Sequence, residues 1–210
     1  MATVAGVGMH SHADREHDFY ATPPEAVHAL LAVEDRWLPH GTIWEPACGD
    51  GAISKVLVSK GYEVMSTDLV DRGYGTPGVD FLKSETLVNS AIITNPPFKI
   101  ARQFVEASLE RAPYVAMLLR LAFLEGVARQ SWFASTPLAR VHVSSRRLPM
   151  MHRHGWTGPK AGSAVCHAWF VWDARHEGRP QVQWFDWREH VPVANDNVPM
   201  VDMFAQAGAA

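Results

Sequence analysis

The sequence predicts an α/β fold, a mostly parallel sheet with helices on both faces. Three observations lead to it. Short apolar strands and helical stretches alternate from Pro23 onward. Glycine turns join some of them, as in "EPACGDG" (residues 45–51). Runs such as "AIIT" (residues 91–94) show no polar alternation, the mark of strands buried on both sides.

"PPEAVHALLAVEDRWL" opens with prolines, which suit a helix start, and places Glu25 in the first turn. Val27, Leu30, Leu31 and Trp37 then fall on one face. "GTIWEPACGDG" is a short strand running into a glycine turn, and "AISKVLVSKG" a helix closed by Gly61. "YEVMSTDL" is a second strand ending at Asp68, and "AIITNPPF" a third, buried one. "ARQFVEASLERA" has a helical period, and "YVAMLLRLAFL" begins as a strand. "ARVHVSS", "AVCHAWFVWD" and "QVQWFDW" are the late strands, whose rings are expected in the core.

The chain of 210 residues is long enough for one sizeable domain. A net charge of -3 argues against a protein that coats nucleic acid but allows a local basic patch. Two cysteines, Cys48 and Cys166, exclude a disulfide scaffold and suit a reducing compartment, so the expected setting is the cytoplasm, with no membrane contact. Residues 1–17 read as a flexible tail, whose His10, His12 and His17 make a poor metal cage. Residues 18–189 form the domain, and 190–210 a loose second tail with Met200, Val201 and Phe204 able to dock. No metal site is expected.

Three acids organise the predicted cofactor pocket. The glycine turn lets a ligand approach the backbone at a helix start, but Glu45 and Asp50 would repel a pyrophosphate. Asp68 follows roughly 20 residues later, where an acid accepts hydrogen bonds from ribose hydroxyls. Asp80 and Phe81 place an acceptor beside a ring, for the edge and face of adenine, and are expected at the next strand end. A nucleoside bearing positive charge fits this set, which points to S-adenosylmethionine.

"NPPF" (residues 95–98) removes backbone donors at the end of an apolar strand. Asn95 offers its side-chain oxygen and Pro96 its carbonyl, while Pro96 and Pro97 present no competing N–H, and Phe98 can stack on a base. Acceptors that pull both hydrogens of a planar amine out of plane return its lone pair for attack. An ordinary Asn-Pro-Pro turn is the competing reading, and the cofactor acids weigh against it.

"EPACGDG", "TDL", "VDF" and "NPPF" resemble the ordered motifs of S-adenosylmethionine-dependent amino-methyltransferases acting on DNA. "DFYATPPEAV" (residues 18–27) resembles the N-terminal cofactor motif of gamma-class adenine-N6 enzymes. "RGYGTPGVDFL", "RRLPM" and "HAWFVWD" are similar to segments of short phage and prophage adenine methyltransferases. The resemblance implies a seven-stranded Rossmann-like sheet with a reversed last strand. It also implies cofactor contacts at Thr22, Glu45, Ala47, Gly49, Asp68, Leu69, Asp80 and Phe81, and a base grip at Asn95, Pro96 and Phe98. Gamma enzymes usually carry a separate target-recognition domain, and nothing here has that length, so sequence selectivity is expected to be slight, or to come from loops or from a second subunit.

The stretch 139–163 concentrates cations in an acidic chain: Arg140, Arg146, Arg147, Arg153 and Lys160, among Met150, Met151 and Trp156. Cations beside a stackable ring suit a flipped or single-stranded nucleic acid, and the DNA contacts are expected at Arg146, Arg147, Arg153 and Lys160.

Overall fold

The fold comes from a computed structural model, in which residues 21–150 and 165–191 are described. Residues 1–20, Arg153, Trp156, Lys160 and residues 192–210 lie outside the described residues, and with them the expectations placed on both tails.

Among the described residues there are four α-helices and seven strands: α1 Pro24–Glu34, β1 Ile43–Glu45, α2 Ala52–Ser59, β2 Val64–Ser66, β3 Ala91–Thr94, α3 Ala101–Leu109, β4 Tyr114–Arg120, α4 Val127–Ala134, β5 Leu138–Ser144, β6 His167–Asp173 and β7 Gln181–Phe185. Short 3-10 turns fill in at Phe81–Lys83, Phe98–Ile100, Leu121–Leu124 and Trp187–His190. The proline-led start, the buried Ala26, Val27, Ala29 and Leu30 and the acid in the first turn all hold for α1. Trp37 lies past its end, in a turn closed by its N–H on the Glu34 carbonyl at 2.8 Å. Gly61 ends α2 as expected: at φ 87° it takes the left-handed conformation while Tyr62 N–H returns to the Leu57 carbonyl at 3.1 Å. Helix α4 carried no clear signal, because it is short, starts on Gly126 without a side-chain cap and buries only Trp132.

The strand order is β2-β1-β3-β4-β6-β5-β7. All pairings are parallel except those of β6, which runs antiparallel to both β4 and β5. One strand is reversed, as expected, and it is the sixth; β7 then follows it and adds parallel to β5 at the edge. No regular strand carries Asp80, contrary to the expectation of a strand end there. That segment is a loop anchored by one isolated bridge between Thr67 and Thr76, and Asp80 caps the 3-10 turn that follows.

Each sheet face buries its own apolar layer. On one side α1 and α2 cover Ile43, Ile93, Ala116, Leu118, Trp169 and Val171. On the other, α3 and α4 cover Trp44, Ile92, Val115, Met117, Phe170 and Trp172. Alternate residues of β4 and β6 thus go to opposite layers, which is why both strands read as unbroken apolar runs. The rings of "WFVWD" are core residues, fully buried.

The chain leaves β1 toward β2, then crosses back over β1 to β3. Strand order reverses between β1 and β3, and in open α/β sheets ligands bind beyond the carboxyl ends at such a point.

Candidate functional site

A cleft opens at that point, partly enclosed and lined from several elements. The end of β1 and its glycine turn contribute Glu45, Pro46, Ala47, Cys48 and Asp50; the end of β2 contributes Asp68, Leu69 and Val70; Asn95 and Pro97 come from beyond β3. Thr22, Asp80 and Phe81 close the sides. Of the residues expected at a cofactor site, all but Gly49 line this one cleft.

Glycine makes the turn possible. Gly51 sits at φ 81°, and a Cβ there would meet the ring of Tyr74 at 2.5 Å. Gly75 packs the following loop just as closely, its Cβ position 2.7 Å from the Ser66 carbonyl oxygen. The Tyr74 loop is therefore clamped over the turn.

The acids divide their work. Asp68 accepts from Gly49 N–H and from Val70 N–H, each at 2.8 Å, so one carboxylate fixes the glycine turn and its own loop. Gly49 lies behind the wall, held by that bond. Glu45 is buried at the turn's root and accepts from Ser54 N–H at 2.8 Å and from the Ser54 hydroxyl. Burial pushes its carboxyl up to about 8, with Asp50 and Asp68 adding to the rise and the Ser54 bonds opposing it. Asp80 is held by Lys83 at 2.8 Å, which keeps its carboxyl below the usual range, while Oδ1 accepts from Leu82 N–H at 3.1 Å. Phe81 turns its ring mainly into the core, 5.0 Å from Trp44 and 4.9 Å from Phe104.

Two features test the fit of a cationic nucleoside. Asp50 Oδ1 is buried at the cleft without a hydrogen-bond partner. Four acidic side chains line the cleft against one guanidinium, Arg72, although Glu45 at about 8 is mostly neutral at pH 7 and Asp80 is paired with Lys83. A ligand with an ammonium or sulfonium group suits this donor set. Apolar walls from Val79, Leu82, Ile100 and Phe104 suit a flat base; sequence spacing did not reveal them, since they are unremarkable side chains brought together from three elements. Burial and nearby carboxylates push the Cys48 thiol up to about 12, so it carries no thiolate nucleophile at neutral pH.

Asn95 sits at the cleft rim with its side-chain nitrogen donating to Thr22 Oγ at 3.0 Å. That bond joins residues 73 apart in sequence, and it turns Oδ1 into the atom that Asn95 can offer an amine. Pro97 lines the cleft with it; Pro96 is buried behind. Phe98 stands to one side, 5.7 Å from the His167 ring and 4.6 Å under the Arg120 guanidinium.

The basic stretch is only partly where the sequence places it. Arg140 is not a surface cation: it is buried against Glu34 at 2.6 Å and Asp173 at 3.3 Å. Met150 is likewise buried. Arg146 is exposed but bonded to the Asp186 carboxylate. Arg147 is exposed and has no carboxylate partner among the described residues.

No protein-family model and no curated protein matches the sequence. Solved structures do match in shape. A proposed RNA methyltransferase from Pyrococcus horikoshii superposes with a TM-score of 0.57 at 16% identity, covering 75% of this chain and 87% of that one. A methyltransferase subunit of a type I restriction-modification system from Streptococcus thermophilus gives 0.55 at 14%, covering 80% of this chain and 47% of that one. The 23S rRNA methyltransferase ErmE gives 0.53 at 16%, covering 76% and 71%. The fold is that of the Rossmann-like methyltransferases. Within it the cleft lies beyond the strand ends, where β1 and β3 part. Among the described residues no helix is long and apolar enough to cross a membrane.

Proposed function

We propose that this chain transfers a methyl group from S-adenosylmethionine to the exocyclic N6 amine of adenine in DNA, with little sequence selectivity. The observation that carries the reading is the shared cleft: Asn95, its amide oriented by Thr22, faces the same space as Glu45, Asp50 and Asp68. The motif order "EPACGDG", "TDL", "VDF", "NPPF" supports the gamma-class, phage-like form of that activity.

When bound, S-adenosylmethionine supplies an electrophilic methyl group on a sulfonium. Asp50 and Glu45 are placed to meet its positive charge, Asp68 its ribose hydroxyls, and the Leu82 and Phe81 wall its adenine. Asn95 Oδ1 and the Pro96 carbonyl accept the two amino hydrogens of the target base. The nitrogen would turn tetrahedral, leaving its lone pair free to receive the methyl group that the bound cofactor would supply. The methylated nitrogen then loses a proton to solvent, so no general base is required before attack. Fixed acceptors lower the barrier because they point at charge that develops on nitrogen. A base inside a duplex cannot reach such a rim, so it is flipped out or already unpaired.

A second reading, methylation of a base in RNA, is favoured by two of the structural neighbours, ErmE and the proposed RNA methyltransferase from Pyrococcus horikoshii. One experiment separates the readings: incubation with isotopically labelled cofactor and duplex DNA, single-stranded DNA or RNA, then digestion to nucleosides and mass spectrometry. Labelled N6-methyladenine in deoxynucleosides is expected. Asn95→Ala should lower the rate by about 10²–10³-fold with cofactor affinity unchanged in calorimetry. Equal rates in mutant and wild type would remove the base grip.

A further inference from the structure

The side of the site beyond Phe98 holds an arrangement that the methyl-transfer chemistry does not use. Strand β4 is buried from Tyr114 to Leu119 and ends on one exposed residue, Arg120. Because β6 is reversed, its first residue pairs with the last of β4, so His167 stands directly opposite Arg120. The Arg120 guanidinium lies over the Phe98 ring at 4.6 Å, and the His167 ring lies 5.7 Å from the same ring. Arg120 has no carboxylate partner among the described residues. His167 is buried, and burial first, then Arg120 and Arg147, push its ring down to about 4, so it adds no third charge at neutral pH.

An exposed arginine stacked on a ring keeps its remaining N–H donors in a fixed plane, a form suited to phosphate oxygens. Phe98 follows Asn95 and Pro97 directly but stands outside the cleft with Arg120 on its ring, so this cation lies beside the rim where the sugar-phosphate of a nucleotide held by Asn95 would run. We propose that Arg120 is the phosphate anchor of the nucleotide whose base Asn95 receives, with Arg147 as a neighbouring cation on the same track. This rests on the proposed nucleic-acid substrate and adds to it a residue outside the basic stretch at 139–163.

The test compares wild type, Arg120→Gln and Arg120→Lys for binding of an adenine-containing oligonucleotide at several KCl concentrations, with melting temperature and cofactor affinity measured alongside. The slope of log affinity against log salt should fall by about 0.7–0.9 in Arg120→Gln, the value for one lost phosphate contact, and return in Arg120→Lys. KM for the oligonucleotide should rise about tenfold while kcat changes far less, the pattern of lost uniform binding. An unchanged slope in Arg120→Gln, with wild type still methylating the oligonucleotide, overturns the anchor and leaves the proposed function standing. Equal loss of slope and of melting temperature in both variants makes Arg120 a packing residue and also overturns it. A wild-type protein that neither binds nor methylates nucleic acid overturns both.

Discussion

Glu45 is a carboxyl taken out of water next to two others, and its protonation follows from that. Its folded value of about 8 lies above the ordinary carboxyl value of 4.5. The stability it contributes is therefore fully present below the ordinary value and lost as pH rises through the folded one. The melting temperature of the ligand-free protein should fall between about pH 4.5 and about pH 8, and Glu45→Gln should flatten that fall. A cationic cofactor favours the ionised carboxylate, so its binding should release a proton and tighten over the same range. Calorimetry in two buffers of different ionisation heat reads the proton directly. An unchanged affinity across the range would detach Glu45 from the cofactor charge.

At the scale of elements, the turn between β1 and α2 is held from three sides: by Asp68 on Gly49, by Glu45 on Ser54, and by Tyr74 against Gly51. Gly51→Ala adds a Cβ 2.5 Å from the Tyr74 ring at a φ of 81°. Left-handed strain alone costs about 1–3 kcal/mol, and the clash must displace the ring as well. The expected result is lower stability and weaker cofactor binding. In a Tyr74→Ala background the same substitution should cost less, because only the backbone strain remains; an equal cost in both would show that Tyr74 is not the clamp. The elements themselves were legible because period and punctuation agree. Pro23 and Gly61 bound their helices, and the four residues of β3, three of them apolar, are all buried. The loop carrying Asp80 was not, because an acid before a ring looks alike at a strand end and at a 3-10 cap. Among site residues, the acids and Asn95 announce themselves by type and spacing. The Thr22–Asn95 bond does not, since nothing in local sequence marks a pairing 73 residues apart. Arg120 had a signal, a single charge ending an apolar run, that a search for clustered cations passes over.

At the scale of the molecule, a buried polar cluster joins α1 to the late half of the sheet. Glu34 accepts from Arg140 at 2.6 and 3.0 Å and from the Tyr114 hydroxyl at 2.8 Å, with His142 against the same carboxylate. Asp173 bonds Arg140 on one side and Arg175 on the other. Burial by itself would raise the Glu34 carboxyl, but the bonds from His142, Arg140 and Tyr114 outweigh it and hold it below its usual range. Its contribution is thus present above the ordinary carboxyl value and lost on acidification, the reverse of Glu45. Removing one partner of such a group leaves a buried charge uncompensated at a cost of about 3–5 kcal/mol. Glu34→Ala should show a loss of that size in urea unfolding. A loss within the range of ordinary surface substitutions, about 0.5 kcal/mol, would mean the cluster contributes little to holding α1 on the sheet.

The reversed direction of β6 has a consequence for how this protein can diversify. Strand β5 leaves the sheet, and β6 re-enters it, on the same side as the cleft. Extra chain inserted between Met150 and Val165 would thus be tethered beside the reacting edge at both ends. Each doubling of such a span costs only about 0.6 kcal/mol in closure entropy and disturbs neither strand's register. Under the proposed function, added chain there would adjoin the target and leave the residues around β1 and β2 untouched.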